Sequence, residues 1–189
     1  QTGLACSRDQ LGDRWLEVYL TSPVWRFALA PGVCGDAGWV GVLLPSVDRV
    51  GRYFPLTVAR PLAGAGSALA ALSKWSAWLD TAERLGLSAL AEAFDLEAFD
   101  LAVAEAGPAA SGSEAIGVPP SPMGWHFAVG GRDLPWHATP EVADALLQAL
   151  LPAQSAWSSR GSDLVEPSLA IAPGLPPAAA FAALLDGGW

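Results

Sequence analysis

The residues most able to do chemistry in this chain lie in one polar segment, PSVDRVGR, at positions 45–52. Its functional candidates are Ser46, Asp48, Arg49, Gly51 and Arg52. Guanidinium groups bind carboxylates and phosphates through paired N–H donors, so the segment could recognise an anion or an acidic protein partner. Alternatively, Asp48 could accept hydrogen bonds from a neighbouring arginine and from turn amides, and so hold a turn together. The sequence leaves both roles open.

Charge is distributed unevenly along the chain. Residues 26–60 contain the basic residues Arg26, Arg49, Arg52 and Arg60 against only Asp36 and Asp48. Residues 80–105 contain the acidic residues Asp80, Glu83, Glu92, Asp95, Glu97, Asp100 and Glu105 against Arg84. This pattern predicts one arginine-marked face and one acidic face. The acidic face could be a docking surface, or the acids could be the solvated sides of helices.

The two histidines of the chain are candidates for a metal site. His126 and His137 each follow a tryptophan, and Asp133 lies between them. Two imidazoles and a carboxylate could hold zinc, but the spacing matches neither a helical pair nor a zinc-protease motif. The sequence also has no GxSxG elbow and no phosphate-binding lysine loop. We therefore predict a protein without cofactor or catalysis; the alternative is a small metal-dependent hydrolase that uses these three residues.

Composition limits the class of protein. The 189 residues are 52% hydrophobic and 15% charged, which favours a sizeable core over disorder. We predict a single domain at residues 1–189 with a flexible Pro/Gly/Ser-rich loop at 107–122. The net charge of −9 argues against nucleic-acid binding, and no apolar run reaches the roughly 20 residues of a membrane span. Cys6 and Cys34 form no disulfide framework and predict reduced thiols in a cytoplasmic protein.

Hydrophobic periodicity predicts the elements that position these residues. Strands are predicted at residues 24–29, 39–44, 53–59, 125–129, 155–159 and 164–172, and helices at 9–21, 67–86, 96–106, 140–151 and 177–185, with a short helix after 88. The predicted N-caps are Ser67, Asp95 and Thr139. The second and third strands should form a hairpin with Asp48, Arg49 and Arg52 at its mouth. Hairpins separated by helices favour an α+β fold, an α-β-α sandwich with a mainly antiparallel central sheet flanked by helices.

Several blocks of sequence carry a resemblance to a known family. Residues 15–62 contain WRF at 25–27, an aromatic-glycine strand at 39–44 and PSVDRVGRYFPL at 45–56. A Trp-Ser segment at 157–162, GLP at 174–176 and FAALLDGGW at 181–189 follow. In order and spacing these blocks resemble the TagF/ImpM family of type VI secretion-associated proteins. Members of that family usually begin with a glycine-containing strand segment that is absent here before Gln1, so we expect a truncated N-terminus.

The resemblance implies a fold and a function. The family's fold is similar to the longin- or profilin-like α-β-α sandwiches. Its members resemble non-catalytic, cytoplasmic regulators, typically post-translational repressors of type VI secretion. The implied partner is the forkhead-associated scaffold protein of the phosphorylation-dependent control branch, with no nucleic acid and no membrane insertion. The positions that match the family signature, as partner-binding or structural residues, are Arg26, Ser46, Asp48, Arg49, Gly51 and Arg52.

Overall fold

The computed structural model describes residues 2–62, 66–91, 94–107 and 140–188. Within them the helices are α1 (Thr2–Leu11), α2 (Trp15–Leu20), α3 (Ala68–Lys74), α4 (Ser76–Ser88), α5 (Leu96–Glu105), α6 (Pro140–Leu150) and α7 (Phe181–Asp186). The strands are β1 (Trp25–Leu29), β2 (Gly38–Val47), β3 (Tyr53–Leu62), β4 (Gln154–Ser159) and β5 (Ser168–Pro173). Short 3₁₀ turns, Gly12–Arg14 and Ala178–Ala180, precede α2 and α7. In this part of the chain no helix is long and apolar enough to cross a bilayer.

The strands form an antiparallel sheet in the order β3-β2-β1-β4-β5. β1 lies at the centre, where Arg26 is opposite Val42 of β2 and Ser158 of β4. β4 and β5 come from the C-terminal part of the chain, so the sheet is complete only when β4 pairs with β1. This arrangement places the β2–β3 hairpin at one edge of the sheet and the β4–β5 hairpin at the other.

The pairing of β1 with β2 requires a glycine. Gly41 lies opposite Phe27, and a Cβ atom at Gly41 would lie 2.6 Å from the Phe27 ring and 2.6 Å from the Val58 carbonyl oxygen. A residue without a side chain therefore lets the Phe27 ring lie directly on β2. The same ring packs against Trp157 of β4, with 5.3 Å between ring centroids. Gly41 thus allows an aromatic cluster to span the middle of the sheet.

Helices cover both faces of the sheet. On one face α3, α4 and α5 pack over apolar side chains of the central strands; buried members of this cluster include Val40, Val42, Leu44, Leu79 and Ala82. On the other face α7 places Leu184 against Trp25, Phe27, Leu29 and Trp157, and α1 and α2 extend this layer. Because both faces are buried, β1 and β2 have nearly continuous apolar sequences. The predicted α+β fold with an antiparallel sheet flanked by helices is confirmed.

Helix boundaries differ from the predictions. The helix predicted at 9–21 is divided by a 3₁₀ turn in which Gly12 adopts a φ of 53°. The helix predicted at 67–86 is two helices that meet at Trp75, and the second continues past Gly86. Gly86 serves packing rather than termination, because a Cβ atom there would lie 2.9 Å from Cδ2 of Leu44. Residues 89–91 form a turn and bend instead of the short helix predicted after 88.

The strand predictions at 24–29, 39–44, 53–59 and 155–159 correspond to β1, β2, β3 and β4. The strand predicted at 164–172 begins only at Ser168, because the chain turns at Gly161 with a φ of 84° and Pro167 has no N–H for a ladder bond. Ser67 and Asp95 cap α3 and α5 as predicted. The strand predicted at 125–129, residues 108–122 of the predicted loop and the cap at 139 lie outside the described residues.

Candidate functional site at the β2–β3 hairpin

The turn between β2 and β3 is organised by Asp48. Its Oδ1 atom accepts hydrogen bonds from the backbone N–H groups of Val50 at 3.0 Å and Arg52 at 2.8 Å. Its Oδ2 atom accepts from Nε of Arg52 at 2.7 Å. The N–H of Asp48 in turn donates to the carbonyl of Arg52 at 2.9 Å. One carboxylate therefore closes the loop and fixes the Arg52 side chain.

Gly51 completes the turn through its backbone conformation. Its φ is +78°, in the left-handed region that side chains with a Cβ atom disfavour. No atom lies within 4 Å of the position that a Cβ would occupy, so conformation and not space requires glycine here. The signature residues Asp48 and Gly51 thus have structural roles in the turn.

The electrostatics of the turn follow from these bonds. The Arg52 backbone N–H is the main cause of a pKa of Asp48 below its ordinary value, and the Arg52 side chain and the Val50 N–H lower this pKa further. Partial burial of the carboxylate opposes the change but does not reverse it. Asp48 is therefore ionised at neutral pH and serves as the counter-charge of Arg52.

Ser46 ties the hairpin to α2. The hydroxyl of Tyr19 donates to the Ser46 carbonyl at 3.0 Å and accepts from the Ser46 N–H at 3.1 Å. The Ser46 hydroxyl donates to the carbonyl of Phe54 across the hairpin at 2.5 Å. Burial raises the pKa of Tyr19, which keeps its hydroxyl protonated and able to donate. Ser46 is thus a structural link between the hairpin and α2.

The turn itself exposes cationic and apolar groups. Arg49 is exposed and forms no ion pair with a described residue. Val50 is 74% exposed, and the Arg52 side chain, 69% exposed, lies over the Phe54 ring with its guanidinium carbon 5.4 Å from the ring centroid. We call residues 47–54 the hairpin tip. It presents two guanidinium groups on a chain whose net charge is −9.

Arg26 lies elsewhere, on β1 beneath α4. Its Nε donates to Glu83 at 2.9 Å, and its terminal nitrogen donates to Asp80 at 2.7 Å and also contacts Glu83. Arg160, on the loop after β4, donates to the same Asp80 oxygen at 2.6 Å. Bonds from Arg26 first and Arg160 second lower the pKa of Asp80. The Arg26 side chain is only 12% exposed, so its bonds hold β1 to α4 and leave little of its guanidinium group at the surface.

Arg60 lies on β3, away from both the hairpin tip and Arg26. Its guanidinium carbon lies 5.0 Å from the Trp75 ring centroid and 5.6 Å from that of Trp78, and it donates to the Gly107 carbonyl at 2.9 Å. Arg60 therefore anchors the end of α5 against β3 and α4. The predicted arginine-marked face is thus divided, and only Arg49 and Arg52 of the four arginines remain available at the hairpin tip.

Comparison with known proteins identifies a matching family and a similar solved structure. The family model "TagF N-terminal domain, Type VI secretion system-associated" matches residues 1–106, which contain the hairpin tip, Arg26 and Asp80. The chain belongs to the TagF family. Among solved structures, it is similar to PA0076 from Pseudomonas aeruginosa PAO1, with 38% identity and a TM-score of 0.78, over 100% of this chain and 81% of that chain. A search of curated proteins finds no match.

The TagF family model covers less of the fold than the solved structure does. The sequence match to the family model ends after α5, so it includes β1, β2 and β3 and the helices α1 to α5. The solved structure also covers β4, β5 and α7, which complete the sheet. In this TagF protein the hairpin tip therefore lies within the part that defines the family, and Arg160 lies in the part that completes the fold.

The three residues of the alternative metal site, His126, Asp133 and His137, lie outside the described residues. Within the described ranges no three His, Cys, Asp or Glu side chains are grouped to hold a metal ion. Cys6 and Cys34 are not joined by a disulfide.

Sequence reasoning missed two features of the site region. The acids that bind Arg26 come from α4, far from it in sequence, and only the generally acidic character of residues 80–105 indicated them. An apolar groove of about 360 Å³ also opens between α1, α7 and the sheet, lined among others by Leu43, Pro55, Trp157 and Phe181. No spacing in the sequence indicated this groove, because its walls come from both ends of the chain.

Proposed function

We propose that this TagF protein is an accessory regulator of type VI secretion that represses the system by binding its forkhead-associated scaffold protein. Membership of the family supports the connection to the secretion system. The observation that carries a binding role is the hairpin tip, where Asp48 and Gly51 fix the backbone and the exposed Arg49 forms no ion pair with a described residue. We propose that repression is by sequestration in the cytoplasm, without catalysis.

The chemistry of the tip favours an acidic partner. The rest of the chain is strongly negative, so an acidic surface approaches favourably where cationic groups are exposed. Arg52 is already oriented by Asp48 and by the Phe54 ring, so little side-chain freedom is lost on binding. Preorganised arginines of this kind often contribute most of the energy of an interface.

The test is the affinity between the purified full chain and the purified scaffold protein, measured by isothermal titration calorimetry. We expect Arg49→Ala to weaken binding about ten-fold, or about 1.4 kcal/mol, since an exposed interface arginine is lost without a change in fold. Arg84→Ala on α4 is the matched control, because Arg84 is also exposed but lies away from the tip, and it should bind as wild type.

The possible results separate the function from the site. A wild-type chain that does not bind the scaffold overturns the proposed function. Binding by wild type with equal binding by a folded Arg49→Ala protein overturns the tip as the site. In cells, loss of the protein should raise type VI secretion, and secretion unchanged by its loss contradicts the repressor role.

A further inference from the structure

The strand β5 forms one edge of the sheet. In the described part of the chain it pairs with β4 on one side, and no strand lies on its outer side. The strand at the opposite edge, β3, contains Pro55 and Pro61, which cannot donate a backbone hydrogen bond to a further strand. β5 has no proline from Ser168 to Ala172. It is therefore the less protected of the two edges.

The direction of the backbone groups of β5 follows from one hydrogen bond. The N–H of Gly174 donates to the Ala153 carbonyl at 2.6 Å, and these two residues continue the β4–β5 register by one step. Hydrogen-bonded and non-hydrogen-bonded pairs alternate along an antiparallel ladder. Leu169 and Ile171 therefore belong to the pairs that do not bond to β4. Their N–H and C=O groups point outward from the edge of the sheet.

The side chains of the same two residues are apolar and exposed. Leu169 is 57% exposed and Ile171 is 37% exposed. They project from one face of β5, because side chains alternate along a strand, and Ile171 lies opposite Ala156 of β4. Ala170 projects from the other face, where it packs against the cluster that contains Trp157. The edge thus offers both a backbone ladder and an apolar face to an incoming strand.

Charge and the positions of the prolines favour a second copy of this chain as that partner. A net charge of −9 makes two copies repel each other, but residues 167–185, which contain β5, carry no charged side chain. Pro167 and Pro173 limit the edge at both ends, since neither has an N–H. Between them the outward donors belong to Leu169 and Ile171, which are related by symmetry about Ala170. An antiparallel strand with the same pattern satisfies both donors, and β5 of a second copy has this pattern.

From this edge we infer that two copies of the chain dimerise through β5, antiparallel and related by a two-fold axis at Ala170. Leu169 of each copy lies opposite the partner's Ile171, and the two residues exchange N–H···O=C bonds. Their side chains meet on one face of the joined sheet, where cross-strand apolar pairs stabilise the ladder. The two five-stranded sheets become continuous. This inference goes beyond the proposed function and does not depend on it.

The first test is sedimentation equilibrium of the full chain over a range of concentrations. Stable interfaces bury about 1,200–2,000 Å², and contact between two strands of six residues buries less. We therefore expect a weak dimer that forms between about 10 μM and about 1 mM. A chain that stays monomeric throughout this range overturns the inference.

Two variants test the edge and its register. Leu169→Lys and Ile171→Glu each place a charge opposite an apolar side chain of the second copy, so each should weaken self-association at least about ten-fold. An equal mixture of the two variant proteins should associate again, because the new amine and the new carboxylate then lie opposite each other. The matched control is Leu101→Lys on α5, whose side chain is 60% exposed, and it should dimerise as wild type.

The results separate the surface from the register. Self-association of a folded Leu169→Lys protein that equals that of wild type overturns β5 as the interface. Loss of association in both variants without recovery in the mixture overturns the two-fold register at Ala170. Circular dichroism and thermal unfolding verify that each variant remains folded.

Amide hydrogen exchange on the wild-type chain gives an answer that needs no variant. The N–H groups of Leu169 and Ile171 should exchange slowly at about 1 mM protein and rapidly at about 10 μM, because only the dimer gives them acceptors. The N–H of Ala170, which points toward β4, should be protected at both concentrations. Exchange at Leu169 and Ile171 that does not change with concentration overturns the inferred ladder.

Discussion

Gln154 offers a sharp test of how the sheet is stabilised. The residue is fully buried at the start of β4, yet neither the oxygen nor the nitrogen of its amide has a hydrogen-bond partner in the described part of the chain. A buried polar group without a partner costs about 1–3 kcal/mol. Two such groups in one side chain therefore cost about 2–6 kcal/mol relative to an apolar side chain of the same shape.

Methionine is the matching apolar replacement, because it is unbranched and nearly equal in length to glutamine. Imperfect packing of a volume-conserving replacement costs less than about 1.5 kcal/mol. We expect Gln154→Met to raise the free energy of unfolding by about 2 kcal/mol. For a chain of this size that corresponds to a rise in Tm of about 4–8 °C.

The Tm is measured by differential scanning calorimetry. The free energy of unfolding is measured by urea unfolding, followed by circular dichroism. Gln148→Met is the control, because Nε2 of Gln148 donates to Asp144 at 2.8 Å and that bond is lost on substitution. The control should be neutral or destabilising. A decrease in Tm for Gln154→Met would show that its amide makes stabilising hydrogen bonds and would refute the reasoning.

Two further predictions concern the sheet and its charge network. Gly41→Ala should destabilise the protein by about 3 kcal/mol or prevent folding, because its Cβ would lie 2.6 Å from the Phe27 ring; urea unfolding measures this, and an unchanged midpoint contradicts it. The pKa of Asp80 is lowered in the folded protein, mainly by the hydrogen bond from Arg26. The ionised Asp80 therefore stabilises the fold above its unfolded pKa of about 3.9, and this stabilisation is lost as the pH falls through the folded pKa. The urea midpoint of Asp80→Asn should therefore fall less than that of wild type between about pH 5 and pH 2, and parallel curves would contradict this assignment.

The Asp80 network explains how separate signature blocks serve one structure. Arg26 belongs to the WRF block on β1, and Arg160 belongs to the Trp-Ser block after β4. Both donate to one oxygen of Asp80 on α4. Three residues that are far apart in the sequence therefore hold a helix against two neighbouring strands. Their shared partner explains why Arg26 is unavailable to another protein.

Local patterns predicted the strands well and the helix ends poorly. Most of β2 is the apolar run at 39–44, and its short length and flanking turn residues favour a buried strand over a helix. The predicted end of the helix at Gly86 is wrong, because this glycine instead allows the helix to pack closely against Leu44 of β2. A glycine that terminates a helix and a glycine that allows close packing look the same in sequence.

The sequence by itself determined the hairpin tip, because its bonds are local. Asp48 and Arg52 are four residues apart, and Gly51 between them supplies the left-handed backbone, so the bonds that close the turn join residues that are neighbours in the sequence. Only the tertiary structure decided which arginines are free. The partners of Arg26 and Arg60 come from distant elements that meet when the sheet forms and helices pack on it, and long-range packing of this kind leaves no periodic pattern near either arginine.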